Sequence, residues 1–193
     1  MFTRKFTAIA VGLFFLSGCQ PTSTSSNQST SPAQSSVERG KYLVSVAGCN
    51  DCHTPKKMAP HGPEADMTRE LSGQPSTEKL AGVPEGIIAP DKYLTVVNNH
   101  LTAWVGPWGV SFAINLTPDK ETGLGSWTQE MFVNSLRSGK HQGTGRPILP
   151  PMPWYWYRNM TDDDLKAVFA YLQSLPPIKN PIPEPLPPDR IPR

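Results

Sequence analysis

The sequence predicts a mainly α domain interrupted by a long loop or a small β-hairpin insertion. Three observations carry that expectation. Apolar residues recur at helical spacing in three separate stretches, near residues 40–47, 132–136 and 165–172. Each stretch opens on a residue suited to capping a helix: Ser35, Thr128 and Thr161. Between the first and second stretches, residues 56–116 follow a different rule. There Val110, Phe112, Ile114 and Leu116 alternate with period two, and residues 93–97 read as extended.

The chain has 193 residues, 22 of them proline and 15 glycine, which fits one domain with much irregular structure. A formal net charge of +2 and the lack of a clustered Lys/Arg face exclude nucleic acid as a partner. Residues 1–19 read as a leader. Arg4 and Lys5 give it a basic start, and residues 8–16 an apolar run too short to span a bilayer. Leu16-Ser17-Gly18-Cys19 then resembles a bacterial lipobox, in which the cysteine, here Cys19, is lipidated and becomes the mature N-terminus. Gln20 is not the aspartate linked to inner-membrane retention in some bacteria, which leans toward the outer membrane. Residues 20–35, rich in Ser, Thr and Gln, read as a flexible linker spanning about 20–25 Å. The folded domain is expected over 36–183, and the proline-rich tail 184–193 is expected to be extended, without a helix or central strand.

The first helix begins with a capping box, Ser35 and Glu38, and carries Gly40, Leu43, Val44 and Ala47 on one stripe. Gly40 would let another helix approach closely. A second helix follows Thr128, closes at Gly139, and carries Phe132, Val133 and Leu136. A third follows Thr161, with Asp162, Asp163 and Asp164 in its first turn and a stripe of Leu165, Val168, Phe169 and Leu172. In the insertion, Trp104 and Trp108 either screen a bound group or simply pack a long loop.

The first helix runs straight into Cys49-Asn50-Asp51-Cys52-His53. Such a run has three chemical readings: a covalent haem site, half of a zinc site, or a redox dithiol. Structural zinc wants a second ligand cluster, and His61, His100 and His141 stand isolated. A dithiol of the thioredoxin type wants a βαβ context, which the flanks lack. Two thiols three residues apart can reach two vinyl groups while the adjacent imidazole of His53 meets the iron, so haem c attached through Cys49 and Cys52 is the favoured reading.

Three stretches, GKYLVSVAGCNDCHTPK, NLTPDKETGLGSWTQEMFVNSLRSGKH and LPPMPWYWYRNMTDDDLKAVFAYLQSLPPIKNPIP, resemble class I cytochrome c domains. The nearest variety is the cytochrome c subunits of bacterial membrane-associated dehydrogenases. The resemblance covers residues 36–183. It implies a cytochrome c fold of about three to five helices around one covalent haem, with the terminal helices crossing. Many such subunits carry two or three attachment motifs. This chain has one, which excludes a multihaem wire within it.

Five methionines compete for the sixth position once Met1 is set aside. Met58 is too near His53 to circle a porphyrin edge, Met67 lies in a polar stretch, and Met131 reads as core filler on a helix. Met160 precedes the Thr161 cap and makes a hydrophobic staple with Leu165, as Trp127 does with Phe132. Met152 has no such structural role. It is framed by Pro150, Pro151 and Pro153, and the resembling family places its distal methionine in the same Met-Pro context. His61, His100 and His141 stay open as alternatives. Residues 154–157 would shield the haem or meet a partner. Arg137, Arg146, Trp127 and Asn115 are candidate propionate donors.

The functional expectation is a monohaem, membrane-tethered one-electron carrier of the periplasm, with no catalysis of its own. Its donor would be a dehydrogenase or quinol-oxidising complex and its acceptor a cytochrome or oxidase. Lys56 and Lys57 would steer docking at the exposed haem edge. The alternative is a haem enzyme or gas binder with an open sixth position, peroxidase-like, needing a distal histidine.

Overall fold

The computed structural model describes residues 35–89, 91–92 and 94–193. The expected leader with Cys19 and the linker up to residue 34 lie outside the described residues, as does Tyr93 of the extended stretch.

Helix α1 (Ser36–Val46) starts where its capping box demands: the Ser35 side chain accepts from the Glu38 N–H while Glu38 reaches back to the Ser35 N–H. Helix α2 (Cys49–His53) follows after Gly48, whose φ of 69° turns the chain out of α1. Helix α3 (Gln129–Ser138) runs from the Thr128 cap to Gly139, which takes the left-handed conformation. Helix α4 (Trp154–Tyr157) is a single turn that the sequence pattern does not announce, begun as soon as Pro153 is passed. Helix α5 (Asp162–Ser174) is capped by Thr161, with three aspartates in its first turn.

α1 lies against α5, and Gly40 sets how close they come. A Cβ built on Gly40 would stand 1.9 Å from the Ala167 carbonyl oxygen, so only glycine lets the two backbones meet there. Arg39 pairs with Asp164 at 2.9 Å beside this contact. Leu43, Val44, Leu165, Val168 and Leu172 bury the interface, and Phe132 and Leu136 of α3 complete the core. Each such side chain contributes about 1.5–3 kcal/mol by leaving water.

The insertion is more ordered than a single hairpin. β1 (Lys56–Ala59) and β2 (Gly62–Ala65) form one antiparallel pair. β3 (Val96–Val97), β4 (Ala103–Gly106) and β5 (Gly109–Phe112) form a three-stranded antiparallel sheet in that order. The alternation read from Val110 onward belongs to β5 as far as Phe112, while Ile114 and Leu116 continue outside any strand. A second core of Val83, Val105, Val110 and Ile191 sits on this sheet.

Ile191 belongs to the tail, and this corrects the expected boundary at 183. The tail is largely extended, but Leu186 exchanges backbone hydrogen bonds with Val110 at 2.8 and 3.0 Å, and the Pro192 carbonyl accepts from Val83 at 2.9 Å. A short 3-10 turn at Pro188–Arg190 also departs from the expectation of no helix. Apolar residues at Leu186 and Ile191 give the prolines something to bury, so the tail packs as part of the domain.

Candidate haem site

Gly48 and the single turn of α2 put Cys49 and Cys52 on one face of the helix, one turn apart, with His53 directly after. His53 is buried, and its Nδ1–H donates to the Ile114 carbonyl at 2.9 Å. A carbonyl oxygen can only accept, so this bond fixes the tautomer and leaves Nε2 with a free lone pair. Burial lowers the His53 pKa, keeping the ring neutral, with the Ile114 bond opposing and Lys56 assisting. Thr54 locks the turn from the other side: its hydroxyl donates to Asn50 Oδ1 at 2.6 Å and accepts the Leu71 N–H at 2.9 Å.

Lys56 also serves the motif, and this corrects its expected role. Its side chain is buried, and Nζ donates to the carbonyls of Asn50, Asp51 and Thr54 at 3.1, 3.0 and 2.6 Å. All three carbonyls stand at the end of α2, where Asn50 already accepts the Thr54 N–H, so the ammonium caps the helix and is withdrawn from the surface. Lys57 is exposed. The expected docking pair is therefore reduced to Lys57.

Cys49, Cys52 and His53 open into a cleft of about 1320 Å³ of empty space, counting the part that meets solvent. Its walls are apolar. Phe132 and Leu136 come from α3, Leu165, Val168 and Leu172 from α5, and Trp104, Phe112 and Ile114 from the insertion; Met152 stands in the loop before α4. The two cysteines are not joined by a disulfide. Burial pushes the Cys49 thiol up to about 11, and burial likewise raises Cys52. A redox dithiol needs a depressed thiol pKa, and these move the other way. Among the described residues no three His, Cys, Asp or Glu side chains gather as the metal-binding set that structural zinc wants. What fits is a large, flat, mostly apolar group bonded at two sulfurs and met by one imidazole.

Of the methionines, Met152 and Met160 both line the cleft and pack against the core. Met58 and Met67 are 76% and 56% exposed, away from it. Met131 is 38% exposed, so it is not the core filler its helix suggested. Of the three alternative histidines, His141 lines the cleft, edge-on to Trp127 at 5.0 Å between ring centres. His100 instead donates from Nδ1 to the Lys56 carbonyl at 2.7 Å, and His61 is exposed. Arg146 and Trp127 reach the cleft. The other two expected propionate donors do not: Arg137 binds the Arg158 carbonyl and Asp162. Buried Asn115 donates to Thr122 Oγ1 and the Ile178 carbonyl.

The aromatic run divides as a helical turn must. Tyr155 and Trp156 are exposed, whereas Tyr157 lines the cleft and its hydroxyl donates to the Ala47 carbonyl at 2.6 Å, tying α4 to the end of α1. Burial pushes the Tyr157 phenol up to about 12. Trp104 is at the cleft and Trp108 is not. The bond from Tyr157 to Ala47, the place of Ser111 in the cleft wall and the cap formed by Lys56 were missed from sequence; each depends on a contact that no local pattern announces.

Residues 37–176 match the cytochrome c family model. The chain belongs to the cytochrome c family. Its relatives include the fructose dehydrogenase cytochrome subunit of Gluconobacter japonicus, 29% identical over 77% of this chain and 23% of the relative. The cytochrome c subunit of the quinone alcohol dehydrogenase of Komagataeibacter europaeus is 31% identical over 74% of this chain and 25% of its own length. The gluconate 2-dehydrogenase cytochrome c subunit of Pantoea cypripedii is 28% identical over 70% of this chain and 22% of its own length. The chain thus spans a quarter or less of the curated relatives it matches. A cytochrome c domain implies covalently bound haem c, and Cys49, Cys52 and His53 stand in the order that attachment requires.

Proposed function

We propose that this chain is a monohaem c-type cytochrome that carries single electrons in a bacterial periplasm, tethered to a membrane by lipid on Cys19. One observation carries the reading: a single Cys-x-x-Cys-His turn presents two thiols and an imidazole with a free Nε2 to an apolar cleft that also holds Met152. Haem c, when bound, supplies a one-electron iron couple. Cys49 and Cys52 would hold it by thioether bonds, and His53 Nε2 and Met152 would be the protein's two ligands to its iron. Ile114 keeps the imidazole in the required tautomer and orientation. The apolar walls exclude water, which with the methionine raises the potential. With His53 and Met152 both given to the iron, no open site would be left for substrate, and the chain would carry electrons without catalysing.

The donor would be a dehydrogenase or quinol-oxidising complex, as the relatives' names suggest, and the acceptor a cytochrome or oxidase. Lys57 would assist docking. The leader 1–19, linker 20–35 and Gln20 favour an outer-membrane lipoprotein facing the periplasm. His141 in the cleft supports a second reading, a haem enzyme or gas binder with an open sixth position. Visible spectra of the purified full chain, oxidised and reduced, decide between them. The carrier requires low-spin spectra with a sulfur-to-iron charge-transfer band; a high-spin spectrum, or carbon monoxide bound at once on mixing, would favour the second.

A further inference from the structure

Neighbouring side chains of β5 serve different parts of the molecule. Val110 packs into the second core, while Ser111 lines the cleft and is 7% exposed. The Ser111 hydroxyl donates to the Pro150 carbonyl at 2.5 Å and accepts the Trp108 Nε1–H at 3.3 Å. The indole thereby directs the single hydroxyl proton toward Pro150. Pro150 stands two residues before Met152, in a loop with little else to hold it. Pro150, Pro151 and Pro153 have no N–H to donate. On one side, the Ile148 N–H donates to the Gly139 carbonyl; on the other, the Pro153 carbonyl accepts from α4. Between them, among the described residues, the bond from Ser111 is the hydrogen bond that ties the loop down. β5 is itself anchored by β4 and, through Val110, by Leu186 of the tail.

We propose that the inserted sheet braces the sixth ligand, with Ser111 as the positioning residue that holds the Met152 loop against the cleft. The idea rests on the reading of Met152 as distal ligand. It gives the insertion and the tail a task at the haem although neither supplies a ligand.

The test uses the haem-loaded full chain and reads two signals: the sulfur-to-iron charge-transfer band of the oxidised form, and the rate at which carbon monoxide binds the reduced form, which requires the methionine to leave. Ser111→Ala should weaken the band and speed carbon monoxide binding about tenfold, equivalent to about 1.4 kcal/mol, the strength of one ordinary hydrogen bond. Ser111→Thr keeps the hydroxyl and should behave as wild type. A Ser111→Ala protein indistinguishable from wild type overturns the brace; if Met152→Ala loses the band in the same experiment, the ligand assignment survives that failure. A band that persists in Met152→Ala overturns both. Equal acceleration by Ser111→Thr and Ser111→Ala would also overturn the proposal, because disturbed packing would then be the cause. Should Ser111→Ala fail to take up haem, Trp108→Phe replaces it: acceleration of about twofold or more supports the brace, and an unchanged rate overturns it.

Discussion

At residue scale, two pairs of like side chains have unlike roles, and each pair gives a test. Met152 and Met160 both reach the cleft, but Met160 also stands before the Thr161 cap and packs with the core beside Leu165. Met152→Ala should abolish the charge-transfer band, lower the haem potential and admit imidazole. Met160→Leu conserves volume, a change that usually costs less than about 1.5 kcal/mol, so its spectrum should be unchanged and its Tm at most slightly lower. The reverse pattern would assign the ligand to Met160. Lys56 and Lys57 separate by burial. Lys56→Met should lower stability to denaturant by about 1–3 kcal/mol, because three carbonyls lose a charged donor. Lys57→Glu should leave stability alone and slow electron transfer to the native partner in a salt-dependent way. If Lys56→Met is neutral in denaturant titration, the cap contributes nothing. Sequence adjacency made these lysines look equivalent; only the fold of Asn50, Asp51 and Thr54 around one of them tells them apart.

At the scale of elements, the helices were legible because their signals are local. The Ser35–Glu38 box, the Thr128 and Thr161 caps and the Gly139 terminus all act within four residues, and all stand where the sequence places them. The single-turn α4 was not legible: four aromatic residues offer no cap and no period, and Tyr157 is oriented by its bond to Ala47, 110 residues away. The sheets were half legible for the same reason. Alternation located β5, but pairing with Leu186 decided that the tail joins it. Gly40 provides the element-scale test. In an exposed helix, glycine to alanine stabilises by up to about 1 kcal/mol. Here the added methyl would meet the Ala167 carbonyl at 1.9 Å and the Tyr171 Cβ at 2.8 Å. Gly40→Ala should therefore destabilise by about 1–3 kcal/mol or more, seen as a lower Tm of the haem-loaded protein. A Tm at or above wild type would mean that α1 can slide on α5 at little cost.

At the scale of the whole molecule, the proposed lipid attachment at Cys19 and the haem attachment at Cys49 and Cys52 depend on different cysteines. Cys19→Ser should release a soluble domain that keeps its haem spectrum, checked by membrane fractionation and absorbance. A variant that stays with the membrane after leader cleavage would remove the lipobox reading. The cleft itself was only partly foreseeable. Cys49, Cys52 and His53 are announced by a motif, whereas its walls come from α3, α5, the insertion and the loop before α4, gathered by contacts of long sequence separation.

The meeting of α1 with α5 also orders events in time. Arg39 and Asp164 are 125 positions apart, so in N-terminus-first synthesis α1 emerges long before the helix that must cover it. Until α5 follows, α1 lacks the surface that buries Leu43 and Val44, and an isolated helix of its length is marginal in water. During that interval Cys49 and Cys52 are unroofed, since Met152 and the α5 residues of the cleft emerge late, with Pro185 after them. The same distance in the chain that delays folding thus holds open a window in which the two thiols can be reached for thioether formation, and the arrival of the last helix closes it.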